Sequence, residues 1–184
     1  MYTIFSLGTV ESFYKPTERA CHTAAAVRES VIICGGRLNN TADKESKLMP
    51  PVERFNTINK VWTKLNTKGS PHTGLKGCVC AADGNLLFVY GGRPSDDHIV
   101  NGDLSQLDLT SLSWSKLPTC NAAEILPKKW HSGLVLFNKG KQLALFGGYG
   151  VTPEPSKHYT LDSTLPLASG VSNELHIFEI DEGT

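Results

Sequence analysis

Three side chains recur at one interval and are of the types that grip a partner. Arg37, Arg93 and Tyr149 each follow a glycine pair, and the first glycines, Gly35, Gly91 and Gly147, stand 56 residues apart. A guanidinium captures a carboxylate through a planar fork of N–H donors. Arg and Tyr are also the residue types favoured where binding energy concentrates. Their shared register should set all three on one face, where they would hold a segment of a peptide or protein partner.

Other groupings suit chemistry less well. Asp96-Asp97-His98 is the densest cluster of acids and histidine, but it reads as a solvated loop without the burial that tunes a general acid. Cys78 and Cys80 should share one strand face, because side chains alternate. They stand too close to form a zinc site by themselves, and no Cys-x-x-Cys or His-x-x-x-His partner completes one. They read as core thiols. Trp130-His131-Ser132-Gly133 lacks the leading glycine of a nucleophile elbow, and the sequence holds no Gly-x-x-x-x-Gly-Lys phosphate loop. His22 and His131 are expected to hydrogen-bond within their own units. The expectation is a protein without catalytic residues, metal or cofactor.

The elements that would position these residues follow from the apolar runs before the glycine pairs: Val31 to Cys34, Leu86 to Tyr90 and Leu143 to Phe146. Each is long enough for a strand and too short for a stable helix. Successive apolar positions predict strands buried on both faces. A strand and a tight turn precede each run: Cys21 to Val27 with Arg28-Glu29-Ser30, Gly77 to Ala81 with Asp83-Gly84-Asn85, and Trp130 to Phe137 with Asn138 to Lys141. A polar loop follows each run, then an alternating strand: Val52 to Asn56, Asp103 to Leu109, and Asn173 to Ile180. Two units close on a Trp strand, Val61 to Leu65 and Ser113 to Leu117, whose Trp62 and Trp114 should anchor the core. The expected units are 19–66, 67–118 and 119–184. The third is incomplete and carries a long loop over 149–172; residues 1–18 hold one further strand, Tyr2 to Leu7. A fixed period of this length marks a repeat architecture, and four short antiparallel strands per unit describe a propeller blade.

Composition narrows the function. The 184 residues carry 18 basic and 18 acidic side chains, 40% hydrophobic and 20% charged residues, so bulk charge points to no nucleic-acid partner. No apolar run approaches the ~20 residues of a membrane span, and Met1 to Val10 lacks a basic leader. The five cysteines, at 21, 34, 78, 80 and 120, are odd in number and sit mostly inside apolar strand patterns. That suits reduced thiols in the cytoplasm or nucleus.

The glycine pairs, the downstream Trp62 and Trp114, Phe55-Asn56 and Leu107-Asp108, and the strand-opening His22 and His131 together resemble the kelch repeat, over roughly residues 19 to 180. The resemblance implies an all-β fold: a partial kelch β-propeller of about three four-stranded blades, the last incomplete. A narrower likeness lies in Phe146 to Gly150, the Pro-containing insertion, and Asn173 to Phe178. These resemble the third blade of kelch-domain-containing substrate receptors of cullin-RING ubiquitin ligases, whose propellers capture the C-terminal tails of substrates. In that likeness Tyr149 matches a tyrosine lining the peptide pocket, Arg37 replaces another pocket tyrosine, and His131 falls near a pocket lysine. No ligase-docking tail has a counterpart here. The implied function is a non-catalytic protein-interaction module, with cullin-RING ligase components among its implied partners. The resemblance also admits a piece of a kelch-propeller enzyme of oxidase, epimerase or metal-assisted specifier type. Because closed propellers usually have 4 to 8 blades, the chain is expected to be part of a longer propeller or to pair as two copies.

Overall fold

The computed structural model describes residues 14–38, 50–69, 75–93, 102–117, 128–129, 133–137, 142–151, 169–173 and 175–180. Tyr2 to Leu7, His72, Asp96-Asp97-His98, Cys120, Trp130, His131 and the middle of the 149–172 insertion lie outside them. Every regular element among the described residues is a strand.

Sheet 1 is a meander of β1 (Arg19–Val27), β2 (Ser30–Leu38), β3 (Val52–Asn56) and β4 (Trp62–Leu65). Sheet 2 repeats it with β5 (Val79–Asp83), β6 (Leu86–Tyr90), β7 (Leu104–Asp108) and β8 (Ser113–Lys116). After them the chain forms β9 (Lys128–Lys129), β10 (Gly133–Phe137), β11 (Gln142–Phe146), β12 (Tyr149–Val151), β13 (Ser169–Val171) and β14 (Leu175–Glu179). Of these, β10, β11 and β14 form sheet 3, while β9, β12 and β13 form a small separate sheet. All named pairings are antiparallel, and β2, β6 and β11 each occupy an interior position. This is the architecture of consecutive propeller blades.

The local causes repeat along with the sheets. Asn56 ends β3 and its Oδ1 accepts the N–H groups of Ile58 and Asn59. Asp108 ends β7, and its carboxylate accepts Thr110 N–H at 2.8 Å and the Ser111 hydroxyl at 2.9 Å. Short polar side chains that bond the backbone just ahead start turns. The same bonds favour the ionised form and hold the Asp108 carboxyl below its usual range.

The core lies in two layers, one on each face of sheet 2. Leu87, Val89, Leu107 and Trp114 face sheet 1, where Val27, Ile32, Cys34, Val52 and Leu65 meet them. Phe88, Tyr90 and Leu104 face the other way and meet Leu143, Leu145 and Phe178 of sheet 3. Each fully buried large side chain of this kind contributes about 1.5–3 kcal/mol. The expectation that all three apolar runs are buried on both faces holds for β6 alone. Val31 and Ile33 in β2 and Ala144 in β11 are half-buried, and Phe146 is 49% exposed. A strand is covered on both faces only when its sheet has a neighbour on each side. The tryptophans follow the same rule. Trp114 is buried in the first layer, whereas Trp62 is half-buried outside that layer, its ring tilted 44° against Phe55 with the centroids 5.0 Å apart.

One buried ion pair ties the start of sheet 1 together. Arg19 Nη2 lies 3.0 Å from Glu53 Oε2, with both side chains almost fully buried. Glu53 Oε1 also accepts the Tyr14 hydroxyl at 2.6 Å and the Thr17 N–H at 2.9 Å, and Arg19 Nη1 donates to the carbonyl of Gly35 at 3.0 Å. Burial is tolerable for such charges because each is paired and hydrogen-bonded.

Candidate binding face at the glycine pairs

The glycine pairs adopt one conformation three times. Their φ values are +69° and +91° at Gly35-Gly36, +71° and +92° at Gly91-Gly92, and +73° and +95° at Gly147-Gly148. Two successive positive φ angles are open to glycine and strained for any side chain. Gly35 has a second reason to be glycine: a Cβ there would stand 2.5 Å from the Leu75 carbonyl oxygen and 2.8 Å from Cys78 Sγ. The chain leading into sheet 2 therefore presses directly on the first glycine pair, and Gly36 N–H donates to Leu75 O at 3.0 Å.

Pairing resumes immediately after each pair, which corrects the expectation of a loop beginning there. In sheet 1, β2 runs through the glycines to Leu38, and Arg37 pairs with Ala20. In sheet 2, Arg93 forms an isolated bridge with Lys76, with reciprocal backbone bonds of 3.1 and 3.2 Å. In the third unit, Tyr149 starts β12 and pairs with Lys129 on one side and Val171 on the other. The ends of the 149–172 insertion are thus strands of the small sheet. Three backbones need their N–H and C=O groups satisfied, and the segment entering each unit supplies the partner.

Arg37 is exposed and Arg93 is half-buried. Lys76, bridged to Arg93 through the backbone, is half-buried, and its pKa is lowered first by desolvation and then by the positive charges of Arg93 and Arg37. The positive charges of Arg93 and Arg37 thus both bear on Lys76. Tyr149 is 6% exposed, so it packs within the small sheet's surroundings and offers little surface. His131 lies outside the described residues. His22 is exposed, and no hydrogen bond holds it among the described residues. Lys76 is the residue that sequence reasoning passed over. Its signal was present in the register: it stands 56 residues after Ala20 and opposite Arg93, as Ala20 stands opposite Arg37.

The residues from 8 to 148 match the KLHDC2/KLHL20/DRC7 Kelch-repeats domain. The chain belongs to this kelch-repeat family. Among individual kelch relatives, it is 30% identical over 104 residues to Kelch domain-containing protein 2 of Bos taurus, covering 56% of this chain and 24% of that protein. It is 30% identical over 156 residues to Host cell factor 2 of Homo sapiens, covering 81% of this chain and 18% of that protein. With Host cell factor of Drosophila melanogaster it shares 29% over 154 residues, 76% of this chain and 10% of that protein. The chain therefore spans a quarter or less of the length of these curated relatives.

Cys34, Cys78 and Cys80 converge in the layer between sheets 1 and 2, as the shared strand face of Cys78 and Cys80 required. Thr23 Oγ1 lies 3.2 Å from Cys80 Sγ and accepts Cys80 N–H at 3.1 Å, linking β1 to β5. Burial pushes the Cys34 and Cys78 thiols well up, and that of Cys80 up to about 11. Thiols so protonated are poor nucleophiles and poor metal ligands. Among the described residues, no group of three or more His, Cys, Asp or Glu stands in metal-binding proximity, and no helix is long and apolar enough to cross a membrane.

Proposed function

We propose that this kelch chain is a non-catalytic interaction module that binds a carboxylate-bearing peptide or protein segment on the face at its glycine pairs. The observation that carries this reading is the mutual proximity of Arg37, Lys76 and Arg93. Burial first, and then the charges of Arg93 and Arg37, lower the pKa of Lys76, and Lys76 is bridged to Arg93 through the backbone; an anion would offset the opposed charges. Tyr149 stands at the corresponding place of the third unit, where its backbone pairs with Lys129; it and His131, which lies outside the described residues, remain part of this reading on their sequence register and family likeness alone. A finer reading is a substrate-recognition part of a cullin-RING ubiquitin ligase. It is supported by the likeness of Phe146 to Gly150 and Asn173 to Phe178 to receptors of that class, and by the similarity to Kelch domain-containing protein 2. The four described cysteines are free, Cys34 and Cys78 of them buried, which favours a reducing compartment, cytoplasm or nucleus.

Selection from a random peptide display library tests the binding face. Wild-type protein should enrich sequences rich in Asp and Glu, and the Arg37→Ala/Lys76→Ala/Arg93→Ala variant should lose that enrichment while remaining folded. Equal enrichment by both proteins would overturn the reading. A second expectation concerns protons. The lowered pKa of Lys76 means that the free protein sheds its ammonium proton below the ordinary lysine range. A bound carboxylate restores it, so binding in that alkaline window should take up protons. Calorimetric heats compared in buffers of different ionisation enthalpy would reveal this uptake, and the Lys76→Met variant should abolish it.

A further inference from the structure

A cavity opens at the other end of the same strands. It lies between sheets 1 and 2 along their outer parts, with a volume of about 520 Å³, inside the range of small-molecule sites. Its floor is apolar: Val27, Ile32 and Leu65 are buried, and Leu109 and Leu112 are half-buried. Its lining carries three cationic side chains, Arg28, Arg54 and Lys64, against the single carboxylate of Glu29. Asn85 and Thr110 form the far wall, held by an Nδ2–Oγ1 bond of 3.0 Å. Among the described residues, neither Arg28 nor Arg54 has an ion-pair partner.

The backbone supplies a second, independent observation. Arg28 has φ +50°, and the equivalent turn of sheet 2 places Gly84 at φ +55°. Glycine occupies that region freely and an L side chain does not. The chain therefore holds an arginine where its own repeat uses glycine, and the side chain lines the cavity. Leu112, at φ +56°, lines it too. Residues kept in strained backbone regions cluster where ligands are held.

We propose that this groove binds a small amphipathic anion, a carboxylate head gripped by Arg28 and Arg54 with an apolar tail on Val27, Ile32, Leu65, Leu109 and Leu112. Charge-assisted guanidinium contacts are the strong ones in such a site, and the apolar floor supplies the non-directional part. The site is separate from the glycine-pair face, and neither reading depends on the other.

Octanoate is the probe, titrated into the labelled 184-residue chain and followed by amide NMR shifts. Saturable shifts are expected at Arg28, Asn85, Leu109 and Thr110. Octanamide, the neutral analogue, should bind at least roughly tenfold more weakly, given the strength of a charge-assisted contact. Arg28→Gly relieves the left-handed backbone, so it should stay folded while losing affinity by a similar factor; Arg54→Gln should do the same. Equal binding of octanoate and octanamide would overturn the proposal. So would unchanged affinity in both variants, an absence of saturable shifts, or shifts confined to Arg37, Lys76 and Arg93. A tighter response from acetyl-Phe-Glu-amide than from octanoate would assign the groove to a peptide and overturn the small-molecule reading.

Discussion

Glu53 is 1% exposed and carries the contacts that fasten the start of the chain: Arg19, Tyr14 and the Thr17 N–H. Replacing it by glutamine keeps the shape but leaves the Arg19 guanidinium buried without its counter-charge. Breaking one side of such a pair costs about 3–5 kcal/mol. Chemical denaturation of Glu53→Gln should register a loss of about that size, whereas Lys116→Gln should register almost none. Lys116 also pairs with a carboxylate, Asp103, at 2.6 Å, but its side chain is 63% exposed, and exposed pairs contribute little. Sequence reasoning did not single out Arg19 or Glu53. They lie on different strands, and nothing local distinguishes Glu53 from the other charged residues of an alternating strand. Only the closure of sheet 1 brings them together.

The glycine pairs and the hairpin turns make an opposite case, because their chemistry is local. Gly35→Ala should destabilise severely, by about 3 kcal/mol or more, since strained φ and a close contact add. The Cβ would meet a backbone carbonyl that cannot move without shifting Leu75. Gly84→Ala also faces a positive φ, but nothing lies within 4 Å of its Cβ. Its cost should stay at about 1–2 kcal/mol, the left-handed penalty alone. Thermal and urea unfolding of the two variants side by side checks the ranking. Similar losses in both would mean that the approach of Leu75 to Gly35 carries no energy.

Among the described residues, one face of sheet 3 presents partly exposed large apolar side chains. Phe146, Leu175 and Ile177 are 49%, 62% and 45% exposed. Phe146 pairs with Leu175, and Ile177 with Ala144, so they lie together on the face of sheet 3 turned away from sheet 2. The matching face of sheet 2 buries Phe88 and Tyr90 at 2% and 0%. A contiguous apolar patch of this kind drives association. The 184-residue chain studied alone should self-associate with concentration in light-scattering measurements. The Phe146→Ser/Leu175→Thr/Ile177→Thr variant should shift it towards monomer without loss of strand content. A wild-type chain that stays monomeric at every concentration would contradict this.

The amino-acid sequence by itself determined the repeat, the strands and the turns. A glycine pair every 56 residues, apolar runs and Asn or Asp at strand ends act through short-range sterics and hydrogen bonds, which any local window contains. It also determined which residues follow the glycine pairs. Tertiary structure alone decided how those residues are used. It paired Lys76 with Arg93 within reach of Arg37, turned Tyr149 inward to 6% exposure, buried Trp114 while leaving Trp62 half-open, and set Arg28 and Arg54 along one cavity. Burial depends on whether another sheet lies across the face, and like charges meet only when separate strands are brought side by side. Neither condition is written in the spacing of a single strand.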